Sequence, residues 1–128
     1  MTREEYDKCG KQILEACFSV HKEYGPGLLE SIYMHALMME FDLRQVRYHK
    51  KVSVPLFYKG MVTGKHFEID LLVEDEIIIE TKAVEELHPV HEAQLISYLK
   101  LSNKKLGYLV NFNVVLIKDG FRRFVNNF

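Results

Sequence analysis

Glu68-Ile69-Asp70-Leu71-Leu72-Val73, the turn Glu74-Asp75-Glu76, and Ile77-Ile78-Ile79-Glu80-Thr81-Lys82 read as two apolar strands joined by a short acidic turn. With Val73 opposite Ile77, Asp70 falls opposite Glu80 and Glu68 opposite Lys82. Successive strand residues alternate faces. One face then carries Ile69, Leu71, Val73, Ile77, Ile79 and Thr81 and reads as core. The other gathers Glu68, Asp70, Glu80 and Lys82, with Leu72 and Ile78 at the turn end. Runs that are apolar on both faces belong to central strands covered on both sides, where projecting charges are rarely idle. Two facing carboxylates repel, and a divalent cation between them removes the conflict. An Asp, a Glu and a Lys on one patch of a hairpin suit metal-dependent phosphodiester hydrolysis. The plainer alternative is a strand end whose polar residues face solvent.

Around this hairpin, apolar positions spaced three and four apart predict a helix from about Glu4 to Tyr24, built on Tyr6, Cys9, Ile13, Leu14, Cys17, Val20 and Tyr24. Gly25-Pro26-Gly27 breaks it. A second helix is expected from about Leu28 to Leu43, with Leu29, Ile32, Tyr33, Ala36 and Leu37 as its inner stripe. Tyr48 to Tyr58 alternates as a strand, and Pro55 places it at a sheet edge or ends it there. Pro89 suits the first turn of a third helix, roughly Val90 to Leu101, with Ala93, Leu95, Ile96 and Leu99 inward. Strands are expected at Leu106 to Phe112 and Val114 to Ile117, and a last short one at Phe121 to Val125. The order argues for a mixed α/β or α+β domain, helices packed on a central sheet, spanning residues 1–128.

With 128 residues there is room for one domain and one core. No apolar run is long enough to span a membrane, and Met1-Thr2-Arg3-Glu4-Glu5 lacks the apolar stretch of a signal peptide, so a cytoplasmic protein is expected. Cys9 and Cys17 fall on one predicted helix, about 12 Å apart at 1.5 Å per residue, and cannot pair there. Free thiols in a reducing compartment are the reading, and no zinc spacing is present. A net charge of −1 counts against a bulk electrostatic grip on nucleic acid.

Three further groups are candidates. Glu30, in the first turn of the second helix, reads on its own as an acid favoured by the helix dipole. Gln94 and Tyr98 are four apart and share a helix face, which suits holding a phosphate or base as well as an ordinary amphipathic boundary. His88 and His91 have helical spacing but no third ligand, and read as surface histidines.

Together these residues resemble the PD-(D/E)XK nuclease superfamily, and more narrowly its small GxxExxY proteins. Gly27, Glu30 and Tyr33 match the name motif; Asp70 and Glu80-Thr81-Lys82 match the catalytic core; Gln94 and Tyr98 match the QxxxY motif of the RecB-like branch. Leu109-Val110-Asn111-Phe112 and Lys118 to Phe124 fit the small family's ending. The resemblance implies a restriction-endonuclease-like αβββαβ core around a mixed sheet. It implies Mg²⁺ or Mn²⁺ on Asp70, Glu80 and the backbone carbonyl of Thr81, with Glu30 joining directly or through water. Lys82 would orient the attacking water and neutralise charge on the scissile phosphate; Gln94 and Tyr98 would steady the substrate. The implied substrate is nucleic acid, with DNA first, and no membrane. Competing readings are a non-catalytic module of the same fold that binds nucleic acid or protein, and a metal-stabilised structural domain. A protein partner or a homodimer stays open.

Overall fold

The computed structural model describes all 128 residues, Met1–Phe128. Helices α1 (Arg3–Tyr24) and α2 (Glu30–Leu43) precede strands β1 (Tyr48–Tyr58), β2 (Met61–Val73) and β3 (Ile77–Lys82). Helix α3 (Pro89–Ser102) leads to β4 (Leu106–Asn111), a 3₁₀ turn at Ile117–Asp119, and β5 (Phe121–Val125). The sheet order is β1-β2-β3-β4-β5, with β3 and β4 parallel and the other pairs antiparallel. Three helices on a five-stranded mixed sheet give the α+β, restriction-endonuclease-like architecture that was expected. No helix is long and apolar enough to cross a membrane.

The α3 crossover makes β3 and β4 parallel neighbours, so β3 is central and covered on both faces. That is why Ile77, Ile78 and Ile79 are all buried. One cluster packs α1 and α2 against Leu71, Val73, Ile77 and Ile79; the other packs Leu95 and Leu99 of α3 against Ile69, Leu72 and Ile78. Ile69 therefore lies on the opposite side from Leu71, not on the shared face that strict alternation predicts. The slip falls at Asp70, where the β2–β3 ladder ends at Leu71↔Ile79.

Helix α1 opens with a capping box, Glu5 N–H donating to Thr2 Oγ1 and Thr2 N–H to Glu5 Oε1. Its buried stripe is Tyr6, Gly10, Ile13, Ala16, Cys17 and Val20, while Leu14 and Tyr24 are exposed. Helix α2 begins at Glu30 rather than Leu28, and turns Tyr33, Met34, Leu37 and Phe41 inward; Leu29 and Ile32 face solvent. On α3 only Leu95 and Leu99 are buried, and Ala93 and Ile96 are exposed. β1 is the edge strand that Pro55 indicated.

The strand expected at Val114 to Ile117 does not form. β4 already has β3 and β5 as neighbours, so the place beside it is taken. The segment instead turns through Ile117–Asp119, with Val115 exposed and the Val114 carbonyl 2.7 Å from Nε2 of His21. Gly120 closes the turn against the backbone of Asn111, where an added Cβ would lie 2.1 Å from the Asn111 carbonyl oxygen.

Candidate active site

Beyond Leu71↔Ile79 the backbone ladder between β2 and β3 is replaced by side chains. The Asp70 N–H donates to Glu80 Oε1 at 3.2 Å, and the Thr81 N–H donates to Asp70 Oδ2 at 3.0 Å. Each strand inserts a carboxylate where the other's carbonyl would have been. This satisfies buried backbone donors and fixes both acids in one gap in the sheet.

Glu30 arrives from α2. The Thr81 hydroxyl lies 3.2 Å from Glu30 Oε1 and 3.4 Å from Asp70 Oδ2, within reach of both. The loop before Glu30 is held by Tyr33. Its hydroxyl donates to the Gly25 carbonyl at 2.5 Å and accepts from the Leu28 N–H at 3.1 Å. The Tyr33 ring is fully buried and stacks on Phe112, centroids 4.8 Å apart. Gly27 sits at φ +102° with open space where a Cβ would point, so this glycine serves backbone conformation, not close packing. Gly27, Glu30 and Tyr33 are thus one device: a turn, the acid it presents, and the clamp that sets the turn.

The electrostatics follow from burial. Glu80 is 4% exposed, and burial and then the Asp70 carboxylate push its pKa up to about 9. Glu30 is also raised, by burial and then Asp70, against the charges of Lys82 and Lys51 and the Thr81 hydroxyl. Lys82 is half-buried, and its charge also opposes the rise on Glu80. Two acids forced together with the neutral form of one favoured are what a cation site looks like before its cation. No three or more His, Cys, Asp or Glu side chains form a metal-holding group by themselves. Asp70, Glu80 and the Thr81 carbonyl could hold a divalent cation only with water completing its shell.

Helix α3 lines one side. The half-buried Tyr98 stacks on Phe67 of β2, centroids 4.2 Å and planes 13° apart. Burial, then the charges of Glu80 and Asp70, raise its pKa. Gln94 is exposed one turn earlier. Glu68, expected opposite Lys82, instead pairs with Ser53 in the β1–β2 ladder and lies 3.9 Å from Lys51.

Four further residues lie around these acids through tertiary contacts. His91, read as a surface histidine, has its pKa lowered by burial, then by Lys82 and His88, and its Nδ1 accepts from the His88 N–H at the start of α3. Lys51 stands at φ +51° in β1, and its charge reaches Glu30. Phe67 is the partner of Tyr98. Asn111 accepts from the Val84 N–H and donates to the Val84 carbonyl, tying down the chain just after Lys82. The Lys50-Lys51 doublet was the one available signal; the rest depend on tertiary contacts. The largest groove, about 700 Å³, is lined by Asp42, Arg47, His49, Glu74 and Asp75 among others, and holds none of the site residues. Its walls are already bridged by Arg47–Glu74 and His49–Asp75 pairs.

A family model described as the PD-(D/E)XK nuclease superfamily matches residues 7–124. No curated protein and no solved structure matches the chain.

Proposed function

The chain belongs to the PD-(D/E)XK nuclease superfamily, and on that premise we propose that it is a Mg²⁺- or Mn²⁺-dependent nuclease hydrolysing phosphodiester bonds, with DNA as its substrate. The observation that carries this is the exchange of Asp70 and Glu80 across the opened ladder, with Lys82 two residues on and Glu30 joined through Thr81. Within the superfamily we place it among the GxxExxY proteins and the RecB-like branch. The Gly27–Glu30–Tyr33 unit and the position of Tyr98 support this. Free Cys9 and Cys17 suit a reducing compartment.

Asp70, Glu80 and the Thr81 carbonyl would hold the metal, with Glu30 beside it. A divalent cation held there would supply Lewis-acid polarisation of the phosphoryl oxygen and activation of water. Lys82 would serve as an orienting cation and as a donor to charge developing on the phosphate. The Thr81 hydroxyl lies between Glu30 and Asp70 and can donate its one proton to either acid. Tyr98, backed by Phe67, offers a hydroxyl on the α3 side to the substrate backbone, with Gln94 a turn away. The test is incubation with supercoiled plasmid, linear duplex, single-stranded DNA and RNA, in Mg²⁺, Mn²⁺ or EDTA. Metal-dependent cutting of DNA is expected. Binding without hydrolysis in every metal would replace this reading with a non-catalytic module of the same fold.

A further inference from the structure

β1 and β2 run far beyond the rest of the sheet. Their ladder extends from Tyr48↔Val73 to Tyr58↔Met61, whereas β3 pairs only with Leu71 to Val73. From Asp70 to Met61 the two strands form an arm that reaches up to about 30 Å past the carboxylates, at ~3.3 Å per residue. Lys59 and Gly60, both at positive φ, make its tight turn. A register shift between Pro55 and Phe57, with the Thr63 hydroxyl bonded to the Leu56 carbonyl, re-aims the tip.

At the tip of the arm Lys59 Nζ lies 5.5 Å from the Tyr58 ring centroid, and the arm has two notable surface properties. The first is charge. Beyond Glu68 and Asp70 at its root, the arm carries Lys51, Lys59 and Lys65 and no Asp or Glu, so its outer part is basic although the chain's net charge is −1. The second is exposed apolar surface at the tip: Phe57 and Tyr58 are 58% and 59% exposed, and Met61 and Val62 61% and 80%. The root is anchored at the site, where Phe67 stacks on Tyr98 and Lys51 stands near Glu68. Basic residues interleaved with exposed aromatics are the equipment for single-stranded nucleic acid: cations follow the phosphates and rings accept unpaired bases.

We propose that the β1–β2 arm is the substrate grip of the site, Lys51, Lys59 and Lys65 tracking the backbone while an exposed ring, Tyr58 on one face of the arm or Phe57 on the other, stacks on an unpaired base. This selects nucleic acid with a single-stranded segment beside the cleaved bond. The inference rests on the nuclease reading for its substrate class. At ~3.4 Å per stacked nucleotide the arm spans up to about nine nucleotides.

The test is binding of fluorescent single-stranded oligonucleotides, DNA and RNA, and of blunt duplex, by the full chain in EDTA, with cleavage in Mg²⁺ measured alongside. The wild type should bind a single strand at least about tenfold more tightly than blunt duplex. Phe57→Ala/Tyr58→Ala should weaken single-strand binding about tenfold or more. Lys59→Ala/Lys65→Ala should lower the salt slope by about 1.4, two phosphate contacts at ~0.7 each. All four side chains are exposed, so melting curves should match wild type and exclude misfolding. Wild-type single-strand affinity in the aromatic variant, or equal loss on duplex, overturns the proposal. So does a change in oligomeric state without a change in binding, which would make the tip a subunit contact. Cleavage with arm variants binding as wild type defeats the arm and leaves the nuclease standing; arm-dependent binding without cleavage does the reverse.

Discussion

Replacing Glu80 by glutamine should make the metal-free protein more stable while destroying its activity. The folded pKa of Glu80 is raised to about 9 from an ordinary 4.5, by burial first and Asp70 second. The native state therefore keeps a proton that the unfolded chain releases above 4.5. The stability this proton supports is full below 4.5 and drains away as pH rises toward 9, at up to about 1.36 kcal/mol per pH unit. At pH 7 the loss amounts to about 3 kcal/mol, roughly 2.5 units above the unfolded value. A glutamine at this position would be neutral throughout, would still accept from the Asp70 N–H, and would offer Asp70 an amide donor. In EDTA the variant should melt roughly 10 °C above wild type at pH 7, at several degrees per kcal/mol for a chain of this size. Melting from pH 5 to 9 reads this out. The wild-type curve should fall with pH and the variant's should stay flatter. Saturating Mg²⁺ should raise the wild type and leave the variant unmoved. Parallel curves, or a variant less stable than wild type at pH 8, would mean that Glu80 is ionised in the metal-free fold.

Tyr33→Phe removes the hydroxyl that holds the Gly25 carbonyl and the Leu28 N–H; denaturant unfolding should show a loss of about 1–3 kcal/mol, and cleavage should fall as Glu30 loosens. Thr81→Val removes the hydroxyl between Glu30 and Asp70, and calorimetry should show Mg²⁺ binding weakened about tenfold or more. Gly120→Ala drives a Cβ against the Asn111 carbonyl and should cost about 1–3 kcal/mol in urea unfolding without changing Mg²⁺ affinity.

The hairpin was legible because two signals agree. Period-2 alternation and the acidic turn fix Val73↔Ile77, and the all-apolar Ile77-Ile78-Ile79 marks a strand covered on both faces. Asp70, Glu80 and Lys82 then follow by counting. Ile69 was misplaced because counting assumes an unbroken ladder, and the carboxylates that make the site are what break it. The segment Val114 to Ile117 has strand composition, but strands need a free neighbour, which is a property of the whole sheet. Leu29 and Ile32 look inward by helical spacing, yet the Tyr33 clamp sets the rotation of α2 and turns them out. Glu30 by itself reads as a dipole-friendly acid; only the hydroxyl of Thr81, 51 residues away, reveals its company.

If Asp70, Glu80 and Lys82 form one hydrolytic site, loss of either Glu80 or Lys82 should remove cleavage. The most direct measurement is Mg²⁺-dependent cleavage of DNA by wild type, Glu80→Ala and Lys82→Ala proteins, purified identically so that a contaminating nuclease would appear in all three. Wild type should cut, EDTA should abolish the cutting, and both variants should be reduced by at least about a hundredfold. Equal cutting by all three proteins, or none by wild type in any metal, would contradict a hydrolytic site at these residues.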